Sequence, residues 1–472
     1  MMLLAAALAS VAIVTQDQAA LRNAPRDAAA PQAVLWQGDL LEIRGQRVDY
    51  LQVYDHRRER AGYVLASQVR TTSLTPAEAP ELLAVTRFLR DTPGSEALGI
   101  AYAAAYLKAA PAGTIGAEPF DAITTMAERL ARRAAQKQGS DATAAARLDI
   151  AAAYGVQFKS YAQGDAIRLC YDGDAARRVY TYAPTPEQAA RAALALTRHD
   201  CVDPALRPLE RAQIDEGRAE LLDRLDAAAE LPGVLKNRLH LRRAGVWSAI
   251  AYERARRADN GMRQAAQRAI DELAAVDKNE LTDDDNTEYI DAAIRVGASR
   301  WAADLPVAAG ESVRASIVTE PGEPGQTCVL LVDAQHGRAT PLVRRCTYGV
   351  AWTASASTSP DGRAVALAVQ PLATWRELWV FRAQGDGWTL DVLPPAAADP
   401  ELGYIEFAGW VPGGDKMLLA REARIDGRAR RSFEVTNLAT LAADKQASTP
   451  SLLALFGKWQ DPAWKRSTVS VR

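Results

Sequence analysis

Hydrophobic periodicity changes twice along this 472-residue chain, and those two changes limit its architecture more than any motif does. From Val34 to Arg70 the apolar residues alternate at strand spacing, as in Leu41-Glu42-Ile43 and Leu51-Gln52-Val53. From Thr75 to about residue 305 they recur at helical spacing, for example Leu82, Leu83, Val85, Phe88 and Leu89, then Ile123, Met126 and Leu130. Beyond Pro306 the period returns to two. The pattern predicts an α+β multidomain protein: a small β-barrel, an α-helical hairpin array, and a C-terminal antiparallel β domain. The expected boundaries are a leader over 1–12, the barrel over 13–70, the helical array over 75–305 and the β-rich domain over 311–472.

Composition narrows function mainly by exclusion. The chain carries 56 basic and 58 acidic residues, a net charge of −2, and no excess that calls for nucleic acid or an anionic membrane as partner. Its 48% hydrophobic and 24% charged residues are ordinary globular values. Met1 to Val14 is apolar, with Ser10 and Ala12 as small residues suited to a signal peptidase, although no basic residue precedes the first charge, Asp17. Two readings compete here, a secretion leader removed before about Gln18 or the first buried strand of the barrel. The run is too short to span a bilayer, so no transmembrane span is expected in the mature chain.

The four cysteines form two sequence-local pairs. Cys328 and Cys346 are centred on Gly337, inside the turn Asp333 to Arg338, so a hairpin folded there sets them opposite one another. Cys170 and Cys201 flank Thr185-Pro186-Glu187-Gln188, a capped helix start. Two disulfides are therefore expected, against the alternative of four buried free thiols, and they agree with a periplasmic or otherwise exported location.

The barrel stretch resembles a known family, the bacterial SH3 (SH3b) domain. The resemblance rests on Gly38-Asp39 followed by Leu41-Glu42-Ile43, on Tyr50 before Leu51 and Val53, and on the terminal Gly62-Tyr63-Val64. Ala20-Leu21-Arg22-Asn23-Ala24-Pro25 is similar to the family's first strand and Pro-containing loop. It implies a binding module for peptide or peptidoglycan ligands, or for an envelope protein. The candidate ligand-binding residues are Trp36, Tyr50, Tyr54 and Tyr63, with Arg57 and Arg58 in the basic loop His56 to Arg60. Alternation places Leu51 and Val53 in the barrel, so Tyr50 and Tyr54 are expected outside it. The C-terminal part resembles TolB-like or WD40-like propeller repeats at Ser359-Pro360-Asp361-Gly362 after Trp352, and at Pro412-Gly413-Gly414-Asp415 after Trp410. Its length holds two or three blades, fewer than the four a propeller needs to close. A likeness to tetratricopeptide-type helical repeats at Ala97 to Lys108 lacks a 34-residue period.

Catalytic and metal signatures are missing from the sequence. The histidines His56, His199, His240 and His336 have no metal-ligand spacing, and no P-loop, GxGxxG or Gly-x-Ser-x-Gly occurs. His199-Asp200-Cys201 has a disulfide explanation, and Thr282 to Asn286 reads as an acid-rich helix start rather than a calcium loop. No cofactor or metal is expected. The predicted function is binding or scaffolding in the cell envelope; the alternative is an envelope enzyme with its site between the helical and β domains.

Overall fold

The computed structural model describes residues 10–136, 142–163, 166–225, 230–304, 315–397 and 400–467. Most of the 1–12 leader and the expected helix-to-strand boundary at 305–311 lie outside them. The fold mixes helices with antiparallel sheets and divides into two compact units, residues 1–206 with 221–231, and residues 207–220 with 232–472.

The first unit opens with seven strands: β1 (Val11–Val14), β2 (Ala19–Arg22), β3 (Pro31–Leu35), β4 (Leu40–Arg47), β5 (Tyr50–Asp55), β6 (Arg60–Leu65) and β7 (Val69–Thr72). They form one antiparallel sheet in the order β3-β2-β6-β5-β4-β1-β7, a path that does not close. Ala12, Val14, Leu21, Leu35, Leu41, Leu51, Val53 and Val64 meet in a single cluster, so the sheet curls around them. Gly62 is forced by that curl, because a Cβ there would lie 2.7 Å from Leu21 Cδ1.

Six helices follow: α1 (Ala79–Arg90), α2 (Glu96–Ala109), α3 (Glu118–Gln136), α4 (Ala142–Ala153), α5 (Asp174–Val179) and α6 (Pro186–Leu196). Thr185 caps α6 through the full capping box with Gln188, as its sequence predicts. Thr75 behaves differently. Its side chain makes no cap hydrogen bond, and the chain enters α1 through a 3-10 turn, Pro76–Glu78. Glu78 instead accepts from Thr72 Oγ1 (2.6 Å) and from the Ser73 amide (2.9 Å), tying the helix entry to β7. Between α4 and α5 runs a hairpin that helical periodicity hides, β8 (Phe158–Gln163) with β9 (Ala166–Tyr171). Arginine–carboxylate pairs stitch the helices together. Arg191 grips buried Asp121 bidentately at 2.9 and 2.9 Å, and Arg129 reaches buried Glu96 at 2.5 Å.

In the second unit, residues of α7 (Pro208–Asp223) up to 220 join α8 (Gly233–Arg256), α9 (Met262–Ala274) and α10 (Asp283–Ser299). Thr282 and Asp285 form the capping box of α10, so the acidic run is a helix start. The strands are β10 (Ser316–Pro321), β11 (Thr327–Val332), β12 (Val343–Thr347), β13 (Val350–Thr358), β14 (Ala364–Leu372), β15 (Trp375–Gln384), β16 (Gly387–Leu393), β17 (Gly403–Trp410), β18 (Lys416–Ile425), β19 (Arg428–Asn437) and β20 (Ala443–Ala447). β10 to β12 form a three-stranded sheet, whereas β13 to β16 and β17 to β20 form two successive antiparallel meanders. The meanders join through a short parallel pairing of β15 with β17, at Trp375–Gly403 and Arg376–Tyr404. Two short helices, α11 (Ala454–Trp459) and α12 (Pro462–Ser467), follow the last strand, and Phe456 and Trp464 pack against Phe433 and Val435.

Both cysteine pairs lie at disulfide distance, and no described cysteine is free. Cys328 and Cys346 are direct register partners on β11 and β12, the symmetry about Gly337 that the sequence contains. Cys170 and Cys201 have Cα atoms 5.7 Å apart, within ordinary reach. With partners 31 and 18 positions apart in sequence, replacing either pair by serines is expected to lower unfolding stability by ~3–4 kcal/mol. Urea titration of each double variant beside the wild type checks this; a loss below about 1 kcal/mol would show that the bridge is idle.

Candidate binding surface

The face of the N-terminal sheet opposite its core has two parts. Near β1 it docks on the helices of the same unit. Ile13 and Leu40 join a cluster with Leu82, Leu89, Leu98 and Tyr102. Gly38, at φ +96°, sits where a Cβ would lie 2.7 Å from the Ala97 carbonyl oxygen, and Tyr154 Oη donates to the Gly38 carbonyl at 2.7 Å. Arg147 adds an ion pair to Asp17 at 2.6 Å. Burial drives the Tyr154 hydroxyl upward from its ordinary pKa, so it stays a donor.

Over β5 and β6 the same face carries Tyr54 and Tyr63, both half-buried. The register pairs Gln52 with Tyr63 and Tyr54 with Ala61, which sets the two tyrosines on a diagonal of adjacent strands. Arg44 lies over the Tyr54 ring, 4.1 Å from its centroid, and His56 meets the ring edge at 4.8 Å. Glu42 accepts from His56 Nε2 at 2.6 Å and from Arg44 Nε at 3.4 Å. Those bonds, His56 first and then Arg44, hold the Glu42 carboxyl below its ordinary pKa. The sequence singles out Tyr54 and Tyr63 but passes over Arg44 and Glu42. Alternation signals only Glu42, the register partner of Tyr54, with Leu41 and Ile43 toward the core; Arg44 falls at the register shift between Ile43 and Gly45, which alternation does not foretell.

The other expected binding residues are used differently. Tyr50 has the outward register but is 6% exposed, because its hydroxyl donates to Asp27 in the loop after β2. That carboxylate, together with burial, raises the Tyr50 pKa. Trp36, Arg57 and Arg58 belong to a separate assembly around two buried carboxylates. Asp39 accepts from the Trp36 amide (2.9 Å) and pairs with Arg57 (3.2 Å) and Arg58 (3.1 Å). Asp55 pairs with Arg58 at 2.6 Å and accepts from the amides of Arg57 and Arg58. Burial works against the Arg58 charge, but Asp55 and Asp39 outweigh it and hold its pKa above the ordinary value. The basic loop therefore serves as a clamp inside the sheet. Replacing Asp39 with alanine leaves two guanidiniums and one amide short of a partner and is expected to destabilise the first unit by about 2–3 kcal/mol. Thermal melts of the variant test this; a change under about 0.5 kcal/mol would relegate the clamp to decoration.

Where helices and strands meet inside the second unit, the space is filled by an ion network. Arg300 holds Glu406 bidentately at 2.7 and 2.7 Å, and Arg376 bonds the same carboxylate. Arg376 also donates to the carbonyls of Gly297 (2.8 Å) and Ala298 (3.3 Å), at the end of α10. Among the described residues no group of His, Cys, Asp and Glu has a metal-binding arrangement, and no helix is long and apolar enough to cross a membrane. Comparison with protein-family models, with curated proteins and with solved structures finds no match.

Proposed function

We propose that the chain is an exported cell-envelope protein that acts by binding, through an SH3b-like N-terminal domain whose outer face takes peptide or peptidoglycan ligands. The observation that carries this reading is the division of labour on that face. Helix docking uses Ile13, Leu40 and Gly38, while Tyr54 and Tyr63 stand half-exposed beside Arg44. Tyrosine and arginine are the residue types that dominate binding hot spots. Two cysteine pairs at disulfide distance support an oxidising location. The two four-stranded meanders support a propeller-like reading of the C-terminal strands, as a scaffold.

The test is retention of the full chain on purified peptidoglycan and on immobilised envelope peptides. Tyr54→Ala combined with Tyr63→Ala is expected to weaken retention about thirtyfold, the loss of one hot spot, with the melting temperature nearly unchanged. If the double variant melts lower and binds as before, the tyrosines are structural and the outer face is not the ligand surface.

A further inference from the structure

Arg44 is the odd residue of the β4–β5 ladder. The register pairs Ile43 with Val53 and then Gly45 with Gln52, so Arg44 is an extra residue of β4 without a partner. A bulge of this kind re-aims a side chain, and such bulges gather next to active sites. Here the Arg44 guanidinium lies on the outer face, 4.1 Å from the centre of the Tyr54 ring. Its Nε donates to Glu42 Oε1 at 3.4 Å, and among the described residues it makes no other hydrogen bond. Nη1 and Nη2 thus have no protein acceptor, and the side chain is 46% exposed.

A guanidinium held in this way is a ready anion receptor. Stacking on Tyr54 and the Glu42 contact limit its conformations in advance, so a ligand loses less entropy in fixing it. Its open edge presents two parallel N–H groups, the geometry that takes both oxygens of a carboxylate. The sheet itself gains little, because a cation–π contact at an exposed site is weak and the bulge interrupts the ladder. Gly45, opposite Gln52, brings no side chain to the face, and the Gln52 amide also has no partner among the described residues. The neighbouring charge selects the kind of anion. Glu42 stays ionised through its bonds to His56 and Arg44. It repels a doubly charged phosphate monoester about twice as strongly as a singly charged carboxylate.

We propose that Arg44 recognises the ligand of the outer face by taking a carboxylate group end-on through Nη1 and Nη2. Tyr54 then acts as a positioning residue that stacks under the guanidinium, and Glu42 holds its Nε. The proposal rests on the reading of that face as the binding surface. A peptide and an acidic sugar both offer the group, so the face needs only one local contact in common for either.

Retention of the full chain is measured on purified peptidoglycan before and after its carboxyl groups are converted to amides. Amidation is expected to weaken retention of the wild type about tenfold or more. Arg44→Gln is expected to show that loss on untreated material, no further loss on amidation, and an unchanged melting temperature. Arg44→Lys, which keeps the charge but not the fork, is expected to lose most of the same binding. Immobilised envelope peptides, free or amidated, and glycan strands stripped of stem peptide, untreated or carboxyl-reduced, then separate the two sources. If amidation leaves wild-type retention intact while Tyr54→Ala with Tyr63→Ala abolishes it, the carboxylate is overturned and the binding face stands. If amidation weakens the wild type and Arg44→Gln alike, the carboxylate is read elsewhere and Arg44 is overturned. If Arg44→Gln melts lower and still responds to amidation, its role is structural and the proposal again fails. If no material retains the chain, both readings fall.

Discussion

Replacing Glu406 with glutamine is expected to destabilise the second unit by about 3–5 kcal/mol, because it leaves Arg376 buried without a counter-charge and takes from Arg300 its closer carboxylate, Asp304 at 3.7 Å being the other. Both guanidiniums are almost completely shielded from water, and Arg376 Nε already lacks a hydrogen-bond partner. Burial draws the Arg376 pKa down, yet a guanidinium does not give up its proton in proteins, so the charge must be met by Glu406. Burial alone would push the Glu406 carboxyl up. The charges of Arg300 and Arg376 outweigh that and hold it down, to about 2 against an ordinary 4.5. A carboxyl whose folded pKa is depressed stabilises the fold fully above its unfolded pKa. That contribution, about 3 kcal/mol here, is lost as the pH falls from 4.5 through about 2. The wild type should therefore lose stability over that window, and Glu406→Gln should lose correspondingly less. Urea unfolding at pH 7 and pH 3 compares the two; equal acid sensitivity would mean that Glu406 does not carry the effect.

The second large effect concerns β1. A chain that begins at Thr15 or later is expected not to fold its first unit. β1 lies between β4 and the edge strand β7, so its loss detaches β7 and leaves β4 as a bare edge. Ala12 and Val14 belong to the sheet core and Ile13 to the helix cluster, all fully buried, so the strand supports two cores at once. Ile13→Ala alone should cost about 2–5 kcal/mol. Of the two readings of the amino terminus, the buried strand is the one the described residues contain, at Val11–Val14. A leader that ends at Ser10 spares the strand, whereas removal anywhere from Ala12 to Gln18 destroys it. Intact mass of the native protein is expected to place the mature start at or before Val11; a functional chain starting after Val14 would refute this.

How much was legible depends on how local each determinant is. The Cys328–Cys346 register follows from symmetry about Gly337, and the caps at Thr185 and Thr282 follow from residues three positions apart. Tyr54 was legible from simple alternation, but Tyr50, in the same register, is closed off by Asp27, whose approach depends on how a separate loop folds. Arg57 and Arg58 look like a solvated tip in one dimension, and their partner Asp39 is distant in sequence. The β8–β9 hairpin was lost between helices because two six-residue strands leave too short a period to stand out. The Glu406 network did leave a trace: Glu406 is the one charge in the apolar run Tyr404 to Phe407, whereas Arg376 is masked by its neighbour Glu377 in the run Trp375 to Phe381. Isolated charges in such runs are where buried ion pairs should be sought.

Each disulfide joins a cysteine to the next cysteine along the chain, and each pair lies wholly within one compact unit. Four cysteines allow three pairings, and this is the one that needs no waiting. A polypeptide oxidised as it emerges, amino end first, exposes Cys170 and then Cys201 well before Cys328 appears. Bonds formed strictly in order of arrival are then already the native bonds. On that route the native bonds need an oxidant but no isomerase, and the timing of synthesis would act as the proofreader of the covalent structure.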